Sequence, residues 1–166
     1  MDANEEFDRV YGLYFKSVYS YFSLCFSQSD AEDCSQQVFL NVWKSMKKPG
    51  GRGPENWKAW VFRLAVNVKN DRFREKYSSR DVEELPGETA FGAAEPDMAH
   101  KLAVEQAFKR LTHDERDVLL LKNNGFTSDE IGKLLKISAS AVRSRLSAAR
   151  VRFKGYLNDC GVNVDG

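Results

Sequence analysis

The chain has 166 residues, enough for one mid-sized domain or for two small helical ones that each bury a workable core. Its 25 basic and 24 acidic residues leave a net charge of +1, so a nucleic-acid partner can be argued only from where the charge sits. Cys25, Cys34 and Cys160 have no metal-ligand or CxxC spacing and make a poor disulfide framework, and no stretch reaches about 18 consecutive apolar residues. Together with an acidic N-terminus that lacks a signal-like apolar run, this predicts a cytoplasmic protein with no membrane insertion and no bound cofactor or metal.

The first apolar pattern, Phe7, Tyr11, Tyr14, Val18 and Phe22, recurs every three or four residues and predicts a helix from about residue 4 to the mid-twenties. A second helix is expected from Ser29 to about Met46, opened by a Ser29/Glu32 capping box and carrying Phe39, Trp43 and Met46 on one side. Its polar positions include Asp30, Glu32, Asp33, Gln36, Gln37 and Asn41. The helix dipole accounts for acids in a first turn, but not for the two glutamines.

The segment KKPGGRGPEN, residues 47–56, has two prolines and three glycines and must be a loop. A helix resumes from Trp57 to about Tyr77, with Trp60, Val61, Leu64 and Val68 expected to face inward. Arg63, Asn67, Asn70 and Arg74 form a polar stripe, beside which lie Lys69, Arg72 and Lys76. Trp57, Trp60, Phe62 and Phe73 are interleaved with these bases. Aromatic rings beside positive charge suit unpaired bases, although core packing is the better explanation of most of these rings taken alone.

Residues 79–97, SRDVEELPGETAFGAAEPD, hold two prolines, two glycines and no sustained period, and read as an acidic linker. Thirteen bases against ten acids precede residue 81, one base against six acids occupies residues 81–104, and eleven bases against eight acids follow. Beyond the linker the sequence predicts a helix ending near Leu111, a second from Thr112 to about Lys122, a turn at NNGF, a third from Thr127 to about Leu135 and a fourth from Ser138 to about Tyr156. Capping boxes at Thr112/Glu115 and Thr127/Glu130 mark two of the starts. The tail NDCGVNVDG reads as frayed.

The last two helices have helix-turn-helix spacing: Gly132 lies where the helices must touch, and Ile131, Leu135 and Val142 supply the inner face. Lys136 stands at the turn position where glycine is common, at a cost of about 1 kcal/mol if it is left-handed. Val142, Leu146, Ala149 and Phe153 form one apolar stripe of the final helix. Ser140, Arg143, Ser144, Ser147, Arg150 and Lys154 lie opposite, and residues 133–154 contain no acid. Small side chains let a helix approach the floor of a major groove while arginines reach phosphates or guanine edges; the alternative is an idle basic surface.

The predicted fold is therefore all-α: two small helical domains at residues 1–78 and 98–157, an acidic linker at 79–97 and a tail at 158–166. Three segments, DAEDCSQQVFLNVWKSM, WKAWVFRLAVNVKNDRFREK and LTHDERDVLLLKNNGFTSDEIGKLLKISASAVRSRLSAARVRF, together resemble the bacterial extracytoplasmic-function sigma factors, small two-domain members of the sigma-70 family.

That resemblance implies a factor that binds core RNA polymerase and directs it to promoters, held inactive by an anti-sigma protein. It implies that Asp33, Gln36, Gln37 and Asn41 face the polymerase. Arg63, Asn67, Lys69, Asn70 and Arg74 would hold minus-ten DNA, and the loop of residues 47–56 would cradle a flipped base. Ser138, Ser140, Arg143, Ser144, Ser147 and Arg150 would meet the minus-thirty-five element, and the linker would run toward the RNA channel of the polymerase. A conventional helix-turn-helix regulator explains the C-terminal half equally well but leaves the N-terminal helices unexplained. An enzyme is disfavoured, because His100 and His113 are isolated and no phosphate loop or nucleophile motif is present.

Overall fold

In the computed structural model, residues 2–48, 56–77 and 96–162 are described. Seven helices occur among them: α1 Ala3–Ser23, α2 Gln28–Met46, α3 Trp57–Tyr77, α4 Pro96–Lys109, α5 His113–Asn123, α6 Ser128–Leu135 and α7 Ala139–Asp159. The chain divides into two compact units, Met1–Glu84 and Leu85–Gly166. The expected linker, 79–97, lies outside the described residues except for Pro96 and Asp97, which already belong to α4.

The N-terminal unit packs α1, α2 and α3 around Val10, Val18, Tyr21, Phe22, Val38, Val42, Val61, Phe62 and Val66, all buried. Asp2 caps α1 by accepting from the Glu5 amide at 2.9 Å. The expected Ser29/Glu32 box is not formed: α2 starts two residues earlier, with Ser27 as its N-cap accepting from the Asp30 amide at 3.3 Å. Asn56 caps α3 by accepting from the Ala59 amide at 3.1 Å.

The inward face of α3 is also rotated from the expectation. Val61, Phe62, Ala65, Val66 and Lys69 are buried, whereas Trp60, Leu64 and Val68 are only half-buried. The reason is that α3 packs against both α1 and α2, which requires a broad face. Phe62 meets Tyr21 edge-on at 6.1 Å, and Phe73 lies 5.4 Å from Phe26. Tyr11, expected inside α1, is 41% exposed, because it stacks along the surface between Phe7 and Phe15 and leans edge-on against Phe39.

In the C-terminal unit α4, α5 and α6 each contact a neighbour in the group, and α7 touches all three. Both expected capping boxes form, with the Thr112 and Thr127 hydroxyls accepting from the Glu115 and Glu130 amides and the two glutamates reaching back to the cap amides. Gly125, at φ 93°, closes α5, with the Phe126 amide bonded to Leu121 and the Gly125 amide to Lys122.

Through residue 162 the tail departs from its frayed reading, and residues 163–166 lie outside the described residues. The helix α7 runs to Asp159, Gly161 turns the chain at φ 88°, and the Val162 amide donates to the Leu157 carbonyl at 2.9 Å. Val162 is buried with Ala107 and Leu157, so the chain through residue 162 belongs to the packed unit and fastens the far end of α7 to α4.

Candidate functional site

The placement of α7 begins in the turn before it. A Cβ on Gly132 would meet the Ile137 carbonyl oxygen at 2.6 Å, a backbone contact that cannot yield easily, so α6 passes this close to the turn only because the residue is glycine. Lys136 follows in the left-handed conformation, φ 62° and ψ 44°, and the Ile137 amide returns to the Gly132 carbonyl at 2.9 Å. This conformation costs a non-glycine residue about 1 kcal/mol. Ser138 then caps α7, its hydroxyl oxygen accepting from the Ala141 amide at 3.0 Å. Ser138 is itself exposed, and its hydroxyl keeps an O–H donor and a second lone pair beside the capping bond.

Val142, Leu146 and Ala149 are buried and Phe153 packs edge-on against Phe108. Ser140, Arg143, Ser144, Ser147, Arg150 and Lys154 are exposed. The four arginines of α7 separate into two pairs. Arg145 lies 3.9 Å from Asp114 and Arg152 lies 3.4 Å from Glu115, so both lean onto the first turn of α5. Arg143 and Arg150 have no acid partner among the described residues. The result is a solvent face of small side chains with two free guanidinium groups two turns apart, a form that a major groove and its phosphates can accept.

The other expected residues lie in the N-terminal unit. Asp33, Gln36 and Gln37 are exposed on α2, and Gln37 donates through its side-chain amide to Asn41 at 3.0 Å. They border an open groove of about 560 Å³ that α3 completes with Val68, Asp71, Arg72 and Glu75. Arg72 reaches across it, 3.8 Å from Asp30 and 4.0 Å from Asp33. Interaction with the neighbouring Cys34 raises the arginine's proton affinity further. Burial pushes the Cys34 thiol above its ordinary value, with the guanidinium opposing, so the group is neutral near pH 7.

Sequence reasoning missed two features here. Leu40, 45% exposed, stands between the polar groove and a second, apolar groove lined by Phe7, Tyr11, Phe39 and Trp43. Its spacing of three and four from Gln37 and Gln36 places it on their face, a signal that was available. The reach of Arg72 to α2 had none, because it depends on how α3 docks.

Along α3, Arg63, Asn67 and Arg74 are exposed and Asn70 is half-buried, so the polar stripe is intact. Arg74 pairs with Asp71 within that helix. Lys69 does not belong to the stripe. It is 0% exposed, with its ammonium 5.8 Å from the centre of the Tyr21 ring, because the turn that places Arg63 and Asn70 outward places residue 69 toward α1. Of the neighbouring aromatics, Phe62 is core and Trp57 and Trp60 pack edge-on at 5.3 Å. In the expected base-cradling loop, residues 49–55 lie outside the described residues, and Lys47 closes α2 with its ammonium 4.5 Å from the Trp43 ring centre.

Residues 7–79 match sigma-70 region 2 and residues 101–153 match sigma-70 region 4. The chain is 30% identical over 142 residues to the RNA polymerase sigma factor CarQ of Myxococcus xanthus, covering 81% of this chain and 78% of that protein. This chain is a sigma factor of the sigma-70 family, of the extracytoplasmic-function type. It is 27% identical to the ECF sigma factor SigE of Mycolicibacterium smegmatis, over 90% of this chain but only 58% of that longer protein.

The fold of this sigma factor is also that of RpoE from Bartonella quintana, solved in complex with the anti-sigma factor NepR, with a TM-score of 0.72 at 20% identity, covering 93% of this chain and 98% of RpoE. CnrH, solved with the cytosolic domain of CnrY, gives a TM-score of 0.67 at 20% identity, covering 94% of this chain and 90% of CnrH. The family is one of transcription initiation factors and not of enzymes. Among the described residues no helix is long and apolar enough to cross a membrane, and no group of three or more His, Cys, Asp or Glu could hold a metal ion.

Proposed function

We propose that this sigma factor binds core RNA polymerase through the outward face of α2 and selects promoters through α3 and α7, working in the cytoplasm. Asp33, Gln36, Gln37 and Asn41, with Leu40 among them, are the polymerase contacts. Arg63, Asn67, Asn70 and Arg74 hold the minus-ten region, where the positive stripe steadies duplex and separated strand. Lys69 is left out of this set, because it is buried.

Ser138, Ser140, Arg143, Ser144, Ser147 and Arg150 meet the minus-thirty-five element, and Ser138 also sets the start of that helix. The functional division is thus residues 1–78 for polymerase and minus-ten, and 98–157 for minus-thirty-five. Attachment at two points of a promoter raises the effective concentration of the second contact once the first is made. The observation that carries this reading is the sorting of arginines on α7: Arg145 and Arg152 lean onto acids of α5, and Arg143 and Arg150 remain free on an acid-free face.

An anti-sigma protein is a further expected partner. RpoE was solved with NepR and CnrH with CnrY, which supports that expectation here.

The test is run-off transcription with purified core polymerase. Added protein should produce promoter-specific transcripts. Arg143→Ala should change preference at the upstream element by about 1–3 kcal/mol with polymerase binding intact. Gln37→Ala should weaken polymerase binding and leave promoter preference alone. The same defect from both substitutions would overturn the division of labour, and tight duplex binding with no dependence on polymerase would overturn the reading as a whole.

A further inference from the structure

The polymerase face of α2 is held from the side by a residue of α3. Asp33 is one of the proposed contacts, and its side chain is 61% exposed. Left alone it would sample several rotamers, and binding would have to order it. Arg72, 31% exposed, spans the groove to Asp33 at 4.0 Å and to Asp30 at 3.8 Å.

Two carboxylates about one turn apart on α2 thus converge on one planar cation, next to Cys34, which is fully buried. A guanidinium presents donors in a fixed fork and can serve such a set, which a single ammonium cannot. Asp71 and Glu75 line the same groove, so the acids around Arg72 come from both helices.

We propose that Arg72 is a positioning residue for polymerase binding: acting through Asp33, it fixes the orientation of the polymerase face of α2. The inference rests on the assignment of α2 as the polymerase contact and adds a component from α3 that touches no partner itself. Partly exposed ion pairs at these distances contribute little to folding stability. The role of Arg72 is therefore visible in binding, where a preordered carboxylate is worth more than the same carboxylate free to rotate.

A double-mutant cycle tests this on the full chain, with affinity for purified core polymerase read by fluorescence anisotropy. Arg72→Gln is expected to weaken binding about five-fold, and Arg72→Gln combined with Asp33→Asn to bind no more weakly than Asp33→Asn alone. The unfolding midpoint in urea should stay within error of the parent. Unchanged or tighter binding by Arg72→Gln, or losses that simply multiply in the double variant, would overturn the proposal. So would a five-fold binding loss that tracks a lowered urea midpoint.

If Arg72→Gln does not fold, the same cycle with Arg72→Lys decides, with partial loss and the same non-additivity expected. Gln37→Ala separates the two levels. If it leaves core affinity unchanged, the assignment of α2 fails. If it weakens binding while the Arg72/Asp33 pair behaves additively, only the role of Arg72 fails.

Discussion

The two units hold their helices together with different chemistry. In the N-terminal unit, rings from elements far apart in sequence interlock: Phe7 with Trp43 at 5.3 Å, Tyr11 with Phe39 at 5.0 Å, Tyr21 with Phe62 at 6.1 Å and Phe26 with Phe73 at 5.4 Å. In the C-terminal unit the decisive features are local: two capping boxes, glycine exits from α5 and α7, and the run from Gly132 to Ser138 that turns α6 into α7. The direction in which α7 points is decided within seven residues, whereas the direction in which α3 points depends on side-chain volumes contributed from two other helices. The outward face of a helix can thus be set by backbone chemistry or by bulk, and the two should fail differently.

The largest effect should come from bulk. Phe62→Ala is expected to destabilise the N-terminal unit by about 3–5 kcal/mol in urea unfolding, since it removes a fully buried ring. Duplex binding through α7 should persist; an equal loss there would erase the distinction between the units.

Next is Gly132→Ala, which drives a methyl group onto the Ile137 carbonyl and should cost the C-terminal unit about 2 kcal/mol. Affinity for a minus-thirty-five duplex should fall with it, while core polymerase binding through α2 holds. The smallest change has the opposite sign. Lys136→Gly relieves the left-handed conformation at the turn and should raise stability by about 1 kcal/mol, measured as a shift of the same transition.

The same contrast explains what could be read in the sequence. Thr112/Glu115 and Thr127/Glu130 form their boxes because each needs only four residues to close. Ser29/Glu32 had the same pattern and was bypassed, because Ser27 captured the start of α2 first and left Ser29 inside the helix. Lys69 illustrates the longer-range failure. A period of 3.6 places it near the polar stripe, but the width of the buried face is set by Tyr21 and its neighbours, and the long apolar stem of a lysine fits beneath that ring.

The start of the tail, through residue 162, was misread for a different reason. Gly161, followed by Val162 and preceded by Leu157, has the spacing of a closing turn with an apolar contact, but the polar residues around it resembled a loose end. The exposed polar stripe of α2, Asp33, Gln36 and Gln37, was legible as a helical period. Its bracing by Arg72 was not, because no local pattern encodes which side chain of α3 faces which acid of α2.

The pairing of Arg145 with Asp114 and of Arg152 with Glu115 also bears on how DNA binding responds to ionic strength. Residues 133–154 contain seven bases, and a polyanion meeting all of them would shed a counterion for each phosphate neutralised. With two of the seven already balanced inside the protein, about five bases, spread over α6, the turn and α7, would be left to displace counterions, and affinity for DNA would decline with added salt correspondingly less steeply. The acids at the start of α5 would thus lower the ionic cost of leaving one promoter for another.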